Sequence, residues 1–416
     1  MAPRFNPFRP ATIVGTGMFS GRETELVALE RLLYQTKQGN PSHFIIDGER
    51  GIGKSSLLHY IQSMARGETE SRECGRFKFL TVNVELDAAS AYFDILGKIG
   101  SEFQRAIDAH HKGRAIARAA WDFLKRWQIG GIRYWDEPES QQPSEFLDAL
   151  VHAIEQVVAA TRNELDGVLI LIDEADKPPV IANLGEFVKV FTERLTKRGC
   201  DRVVLGLAGL PTLLPKLRQS HESSTRIFDI FTLSPLASEA RLDVLRRALA
   251  EAQAKNGFAV TMTPEAEKWI SELSEGYPHF IQQFAHAAFE TDTDNVIDTP
   301  DVLYGAFKDH GAFQQLGLKY FEELYFDNIG SDEYREVLRV MAHRLEGWMT
   351  KDEIRHESKI KESTLDSAIT ALKSRGIIVP MPGRRGVYRL PTRSFAVWIR
   401  SYTRARSAAP GGNSGD

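Results

Sequence analysis

The sequence has few of the features that mark secreted, membrane-spanning or zinc-binding proteins. Its 416 residues include two cysteines, Cys74 and Cys200, which form no metal-ligand spacing, and its eleven histidines form no HExxH-like cluster. Free thiols of this kind are typical of a reducing cytosol. No apolar run approaches the length of a membrane span, and residues 1–10 lack the apolar stretch of a secretory signal. We therefore expect a cytoplasmic protein that does not enter a membrane.

The net charge of −4 is distributed unevenly along the chain. Residues 331–406 contain 16 Lys and Arg against 9 Asp and Glu, whereas the remainder contains 36 against 47. A basic terminal module on an acidic body favours contact with a polyanion. The alternative is a chance excess of cations on a solvated surface.

The order of the predicted elements indicates the fold class. Apolar or β-branched segments predict strands, and segments of helical periodicity alternate with them. This alternation predicts an α/β domain with a parallel sheet, and the chain length allows two or three domains. The predicted strands are 44–46, 77–86, 168–172 and 203–207, with a less certain strand or hairpin at 128–135, and the predicted helices include 55–64, 90–127, 144–161 and 184–197.

Residues 48–55 read Gly-Glu-Arg-Gly-Ile-Gly-Lys-Ser and complete the Walker A pattern GxxxxGK[ST]. They lie between a predicted strand and a predicted helix, where backbone N–H groups and the helix N-terminus attract phosphate. Lys54 can reach the β- and γ-phosphates, and the Ser55 hydroxyl can ligate Mg²⁺. The alternative is that these residues form a glycine turn between a core strand and a helix and bind no nucleotide. The sequence predicts an ATP and Mg²⁺ site formed by Gly48, Glu49, Arg50, Gly51, Ile52, Gly53, Lys54, Ser55 and Ser56.

Two carboxylates, Asp173 and Glu174, follow the buried strand predicted at 168–172. Ligands of parallel sheets bind at the carboxyl ends of the strands. Asp173 is expected to hold Mg²⁺, directly or through water, and Glu174 to orient and polarise the attacking water. The alternative is an acidic turn after a core strand.

These motifs resemble those of the AAA+ ATPases, and more narrowly the bacterial and archaeal branch near the origin-recognition-complex ATPases and the signal-transducing STAND ATPases. The resemblance covers roughly residues 17–395. Residues 19–26, Phe-Ser-Gly-Arg-Glu-Thr-Glu-Leu, look like the family box that lies against the adenine, and 168–176 look like its Walker B segment. The resemblance therefore assigns Gly21 and Arg22 to the nucleotide site.

Further expectations come only from this resemblance. Arg226 looks like the arginine that senses the γ-phosphate of a neighbouring subunit, with Arg218 as the competing candidate, and this role implies a homo-oligomer. Residues 276–280 resemble the lid element, so Pro278 and His279 are expected near the nucleotide, although the family's usual arginine is missing there. The segment 206–209 lacks the polar residue of a first sensor. Hydrolysis is therefore expected to be slow.

Residues 331–406 resemble a winged helix-turn-helix, with three predicted helices and a hairpin whose tip is Pro-Gly-Arg-Arg-Gly. Such a module reads double-stranded DNA with its third helix in the major groove and its wing on the backbone. A winged helix used only for protein contact is the alternative. The candidate DNA contacts are Lys359, Lys361, Ser363, Thr364, Arg384 and Arg385.

The sequence thus predicts an ATPase that acts as a switch and assembles on DNA, as in replication initiation, transposition or defence of mobile elements. The alternative is a STAND-like signalling ATPase that controls a separate effector protein, encoded nearby, without binding DNA. The predicted domains are an extended segment at 1–17, the AAA+ domain at 18–235, a helical lid at 236–325, the winged helix at 331–406 and a disordered tail at 407–416.

Overall fold

The computed structural model describes residues 4–12, 19–109, 143–327, 329–345 and 347–407. The chain forms two compact units, one of Ile13–Ser234 and the other of Met1–Thr12 together with Pro235–Asp416. The hairpin expected at 128–135, much of the helical stretch expected at 90–127 and nearly all of the tail expected at 407–416 lie outside the described residues. Among the described helices, none is long and apolar enough to cross a bilayer.

The first unit is built on a parallel five-stranded sheet, which confirms the predicted fold class. The strand order is β2-β3-β4-β1-β5. Consequently β4 separates β1, which leads into the Walker A loop, from β3, which ends in the acidic pair. The strands are β1 (His43–Asp47), β2 (Phe79–Glu85), β3 (Gly167–Asp173), β4 (Val203–Gly209) and β5 (Phe228–Thr232).

Helices cover this sheet because its central strands are apolar on both faces. Every residue of β4 is buried, and β3 is buried up to Asp173. The apolar stripes of the helices complete the core, in which Phe187 and Phe191 stack with ring centroids 5.5 Å apart. The helices are α1 (Glu23–Lys37), α2 (Lys54–Ala65), α3 (Tyr92–Ala109), α4 (Pro143–Ala160), α5 (Leu184–Lys197) and α6 (Leu213–Ser220), with short 3₁₀ turns at Val180–Ala182 and Ser224–Ile227.

The second unit contains the predicted lid and the basic module. The lid helices are followed by π-helical turns at Gly317–Phe321 and Glu323–Asp327. Two short strands, β6 (Thr261–Met262) and β7 (Val296–Ile297), pair in parallel. The lid helices are α7 (Ser238–Asn256), α8 (Pro264–Ser274), α9 (Pro278–Thr291), α10 (Thr299–Phe307) and α11 (Ala312–Leu316).

The basic module has three helices and a small antiparallel sheet, which is compatible with the predicted winged helix. The sheet order is β8-β10-β9, and the segment between β9 and β10 forms the hairpin tip. A fourth helix, α15, packs against the first helix of the module, α12. The elements are α12 (Asp332–Ala342), β8 (Met349–Thr350), α13 (Lys351–Ser358), α14 (Glu362–Ser374), β9 (Val379–Pro380), β10 (Val387–Arg389) and α15 (Arg393–Ser407).

Residues 4–12, which we call the N-terminal strap, pack along α9 without forming a helix or strand. The Arg4 guanidinium forms a 2.6 Å ion pair with the buried Asp292 and donates to backbone carbonyls at the end of α9. The Arg9 N–H donates to Gln282 at 2.8 Å, and the Phe8 ring packs edge-on against Phe289. The strap therefore runs antiparallel to α9.

We predict that Asp292→Ala destabilises the lid unit. The substitution leaves the Arg4 guanidinium without its carboxylate in a poorly solvated site, which costs about 3 kcal/mol when one partner of a buried pair is removed. Thermal unfolding should show a lower midpoint for the variant. Glu290→Ala is the matched control, because its bond to Asn6 is exposed and surface substitutions change stability by about 0.5 kcal/mol or less. Equal midpoints for both variants would contradict this role of the strap.

Candidate nucleotide site and nucleic-acid interface

The Walker A residues form the strand, loop and helix that the sequence predicts. Gly51 and Gly53 have φ values of 80° and 100°, a conformation that favours glycine. A Cβ at Gly48 would lie 2.9 Å from Ile52 Cγ2, so this position accepts no side chain without a shift. Helix α2 begins at Lys54, directly after the loop. The loop thus presents its backbone at a helix N-terminus, as a phosphate site requires.

Lys54 folds back over the loop. Its Nζ atom donates to the carbonyl oxygens of Gly48 and Glu49 at 2.8 and 2.9 Å. Burial lowers the pKa of Lys54, while the neighbouring carboxylates, Glu174 first and then Asp173, raise it. The ammonium group is therefore held beside the loop by carbonyl oxygens that a phosphate can replace as partners.

Asp47 ends β1 immediately before the loop. Burial raises the pKa of its carboxyl group, against the influence of Lys54. One of its oxygens is buried and has no hydrogen-bond partner among the described residues. A buried, partly unsatisfied carboxyl group at the start of a phosphate loop is a feature that the sequence analysis did not identify.

Walker A and Walker B meet across the end of β4. The Ser55 hydroxyl donates to Asp173 Oδ2 at 2.7 Å, although the two residues lie 118 positions apart. Backbone bonds hold both motifs to β4, from Gly48 N–H to Gly209 O at 3.3 Å and from Ala175 N–H to Ala208 O at 2.9 Å. The structure therefore brings together the two predicted metal ligands.

Glu174 occupies an unusual backbone position beside these ligands. Its φ of 54° is in the left-handed region, and its N–H donates to Asp173 Oδ1 at 2.8 Å. The side chain is partly exposed and lies 3.6 Å from the Lys177 ammonium. Left-handed conformations of non-glycine residues occur often at functional sites. Because the Glu174 side chain is partly exposed, its carboxylate can contact a water molecule.

The residues present fit a magnesium ion shared with a nucleotide. Among the described residues, no group of three or more His, Cys, Asp or Glu side chains is arranged to hold a metal alone. Mg²⁺ usually takes one or two protein ligands and completes its octahedron with phosphate and water. Ser55 and Asp173 would hold it here, and the ion would supply neutralisation of phosphate charge.

Arg22 contacts the backbone of the phosphate loop. Its side chain is 6% exposed, and its guanidinium donates to the Ile52 carbonyl at 3.1 Å. Burial lowers the pKa of Arg22, and Glu25 raises it. The preceding Gly21 has a φ of 73°. The box expected beside the adenine is thus connected to the loop by a buried hydrogen bond.

The two candidate sensing arginines lie close together on the first unit. Arg226 is exposed on the 3₁₀ turn Ser224–Ile227. Arg218 is also exposed but donates to the Thr225 hydroxyl at 3.3 Å. Both side chains point outward from this unit, which leaves the choice between them open.

The lid element begins α9, with Pro278 as its first residue. The His279 ring contacts the Tyr320 ring edge-on, with centroids 5.1 Å apart. Burial and the nearby Lys319 lower the pKa of His279 to about 4, so the ring is neutral at physiological pH. Its Nε2 atom is buried without a partner among the described residues. In this structure His279 is therefore a packed and uncharged side chain, and its place near the nucleotide stays a prediction.

The basic module places four cations on its surface without ion-pair partners among the described residues. Lys359 and Lys361 occupy the turn before α14, and Lys359 has a φ of 57°. Arg384 and Arg385 lie at the hairpin tip between Gly383 and Gly386, whose φ values are 73° and 76°. Ser363 and Thr364 lie in the first turn of α14. All six predicted contacts are at least partly exposed.

The acidic residues of α14 are neutralised by its neighbour α13. Lys351 lies 2.6 Å from Asp366, and Arg355 lies 3.3 Å from Glu362. The predicted capping box is also present, because Thr350 and Glu353 bond to each other's backbone N–H. Backbone and side-chain bonds from Thr350 and the ion pair with Arg344 lower the pKa of Glu353 to about 2. Cations on α13 are thus paired, unlike those of the turn and the wing.

Comparisons with known proteins agree with this geometry. Residues 18–180 match the family model of the AAA ATPase domain. The ORC2 protein of Aeropyrum pernix has a similar structure in its ADPNP-ADP complexes, with a TM-score of 0.53, 15% identity and coverage of 97% of this chain and 98% of that chain. The ADP form of the same protein has a TM-score of 0.52 at 14% identity, and the match covers 97% of this chain and 98% of that chain.

A curated relative is an uncharacterized HTH-type transcriptional regulator of Methanocaldococcus jannaschii, which is 25% identical over 295 residues. The match spans 67% of this chain and 65% of that protein, slightly less than two thirds of its length. The family model covers the Walker A loop, the acidic pair and the box around Arg22. Residues 18–180 are therefore similar to the AAA ATPase domain, and the chain has a fold similar to that of the Aeropyrum pernix ORC2 protein.

Proposed function

We propose that the chain is an ATP-dependent switch that hydrolyses ATP slowly and assembles on double-stranded DNA through its winged helix. The observation that carries the ATPase proposal is the 2.7 Å bond between Ser55 and Asp173, with Lys54 and Glu174 beside it. The proposal is supported by the proximity of one cation, two candidate metal ligands and one candidate base to the phosphate loop.

The proposed mechanism assigns each residue a separate task. The backbone of the loop and Lys54 bind the phosphates, and Ser55 and Asp173 hold Mg²⁺. Glu174 orients a water molecule and accepts its proton as the water attacks the γ-phosphate. Because β4 ends in Ala208 and Gly209, no side chain from that strand assists the water. Slow turnover follows, and it suits a switch whose ATP state persists.

The DNA proposal rests on the distribution of paired and unpaired cations. Lys359, Lys361 and the two wing arginines make no ion pair among the described residues, so they retain their charge for phosphates. Phosphate contacts position a winged helix on the duplex, while α14 would read base edges. Glu362 and Asp366 on α14 are compatible with this role because Arg355 and Lys351 neutralise them.

We further propose that the protein acts as a homo-oligomer, in which the exposed Arg226 or Arg218 contacts the γ-phosphate held by a neighbouring subunit. The second candidate function is a STAND-like signalling ATPase that controls an effector protein without binding DNA. DNA binding separates the two functions.

The first prediction concerns nucleotide binding. Lys54→Ala should abolish detectable ATP binding, because the phosphates lose their principal side-chain cation. Isothermal titration calorimetry measures the effect. Arg105→Ala, which removes the same charge from an exposed position on α3, should bind ATP as the wild type does. ATP affinity of the wild-type level in Lys54→Ala would remove Lys54 from the site.

The second prediction concerns hydrolysis. Glu174→Gln should bind ATP normally but hydrolyse it at least about 100-fold more slowly, since an amide cannot accept the proton of the attacking water. Phosphate release under saturating ATP is the measurement. Glu193→Gln, an exposed substitution on α5, should hydrolyse at the wild-type rate. Equal rates for the two variants would show that Glu174 does not act on water.

The third prediction concerns DNA. Replacing Arg384 and Arg385 together by Ala should weaken binding to all duplex sequences and lower the slope of log affinity against log salt by about one to two units. Fluorescence anisotropy over a salt series provides both values.

The matched control is the double variant Arg344→Ala and Arg355→Ala, which removes two cations that are already bound to carboxylates. It should change the salt slope less than the wing variant does. Absence of wild-type binding at low salt with ATP present would reject the DNA proposal and favour the signalling alternative.

A further inference from the structure

Lys216 lies on α6 and bonds to the turn that follows the acidic pair. Its Nζ atom donates to the carbonyl oxygens of Asp176 at 2.5 Å and of Pro178 at 3.2 Å. The side chain of Lys216 is partly buried, and it forms no ion pair with any of the residues that the structure describes. The ammonium group of this lysine is therefore committed to the turn at 174–178 and is not part of a surface salt bridge.

The sequence of this turn explains why a side chain must supply a donor. A carbonyl group in a turn usually accepts a hydrogen bond from the N–H three residues later. For Asp176 that residue is Pro179, which has no N–H, and the intervening Pro178 has none either. Buried or partly buried carbonyl groups rarely remain without a partner. The Lys216 ammonium therefore replaces a backbone donor that the two prolines remove.

The first half of the turn is held by other bonds. The Ala175 N–H donates to the Ala208 carbonyl at 2.9 Å, and the Asp176 carboxylate accepts the Leu210 N–H at 2.9 Å. These two bonds tie the turn to the end of β4 and to the residue that follows it. Lys216 adds the corresponding contacts beyond Asp176, so it fixes the second half of the turn.

Helix α6 is a rigid support for Lys216. The Leu213 and Leu217 side chains of this helix are buried in the core. A Cβ at Gly185, in the first turn of α5, would collide with the Leu217 carbonyl oxygen, and the Gly185 N–H donates to the Ser220 hydroxyl at 2.8 Å. Because closely packed elements resist displacement, α6 gives the Lys216 side chain a fixed origin.

Glu174 begins this turn, and its position depends on the backbone of the turn. Its φ of 54° is unfavourable for a residue with a side chain and persists only where the surroundings determine it. Its partly exposed carboxylate has a 3.6 Å ion pair with Lys177, which belongs to the same turn. Glu174 is also the carboxylate that most raises the pKa of Lys54, so it lies within electrostatic range of the phosphate loop. The turn therefore sets the location of this carboxylate relative to the loop.

We propose that Lys216 is a positioning residue for ATP hydrolysis, which holds the turn at 174–178 so that the Glu174 carboxylate stays beside the phosphate loop. The proposal rests on the proposed function, because that function assigns the attacking water to Glu174. Lys216 acts only through the turn. Its loss should therefore lower kcat and leave ATP binding unchanged, since the loop and Lys54 bind the phosphates without it.

The test measures hydrolysis and ATP affinity in full-length variants at Lys216. Methionine has a similar length but donates no hydrogen bond, so Lys216→Met should lower kcat about 10- to 100-fold while the Kd of ATP stays at the wild-type value. Lys216→Arg retains donors and should restore most of the rate. The matched control is Lys189→Met on α5, because Lys189 pairs with the exposed Glu193, and it should hydrolyse ATP at the wild-type rate.

A double-mutant cycle with Glu174→Gln separates positioning from a general structural role. If Lys216 acts through Glu174, Lys216→Met should slow hydrolysis little in the Glu174→Gln background, because the carboxylate that it positions is already absent. Three results would each overturn the proposal: a wild-type kcat in Lys216→Met, an equal loss of ATP affinity and kcat, or full additivity of the two substitutions.

Hydrogen exchange at the amides of Ala175 and Lys177 provides a readout that does not require hydrolysis. Both amides donate to carbonyl groups in or beside the turn, and they should exchange faster in Lys216→Met than in the wild type. If Glu174→Gln hydrolyses ATP as the wild type does, the proposed function of Glu174 fails, while faster exchange would still show that Lys216 holds the turn. Unchanged exchange together with an impaired Glu174→Gln would overturn the positioning role alone.

Discussion

The nucleotide site depends on close backbone packing at the carboxyl end of β4. This strand separates β1 from β3, so the Walker A and Walker B motifs can meet only across it. Backbone bonds from Gly48 and Ala175 to the last residues of β4 fix the distance over which Ser55 reaches Asp173. A Cβ at Gly209 would lie 2.9 Å from Asp176 Oδ1, so a larger residue would force these motifs apart.

This packing also accounts for the missing first sensor. The Asp176 carboxylate accepts the Leu210 N–H at 2.9 Å, and a Cβ at Gly209 would lie 2.9 Å from the same Oδ1 atom. The residues at the end of β4 therefore support the packing of the backbone and supply no polar side chain to the reaction. The proposed role of orienting the attacking water therefore falls to Glu174, which forms an ion pair with the partly exposed Lys177. The close approach that brings Ser55 to Asp173 thus supports the proposal of slow hydrolysis.

The sequence predicted those parts of the structure that are encoded over short stretches. The Walker A loop, the buried strand before Asp173 and the capping box of Thr350 and Glu353 each have a signature within about ten residues, and each is present. The contact of Arg22 with Ile52, the strap on α9 and the bonds of Lys216 to the turn at 174–178 join distant segments. No local pattern specifies such contacts, because they arise from the packing of complete elements.

The basic module shows why a count of charged residues alone cannot locate a surface for a polyanion. Its excess of cations predicted a polyanion, yet the count treats all cations alike. In the folded module, Arg344, Lys351 and Arg355 are bound to carboxylates, whereas the turn and the wing present cations without ion-pair partners among the described residues. Exposed ion pairs add little stability but cancel the local field. The turn before α14 and the wing are therefore the two places at which the proposed DNA contacts carry unpaired charge.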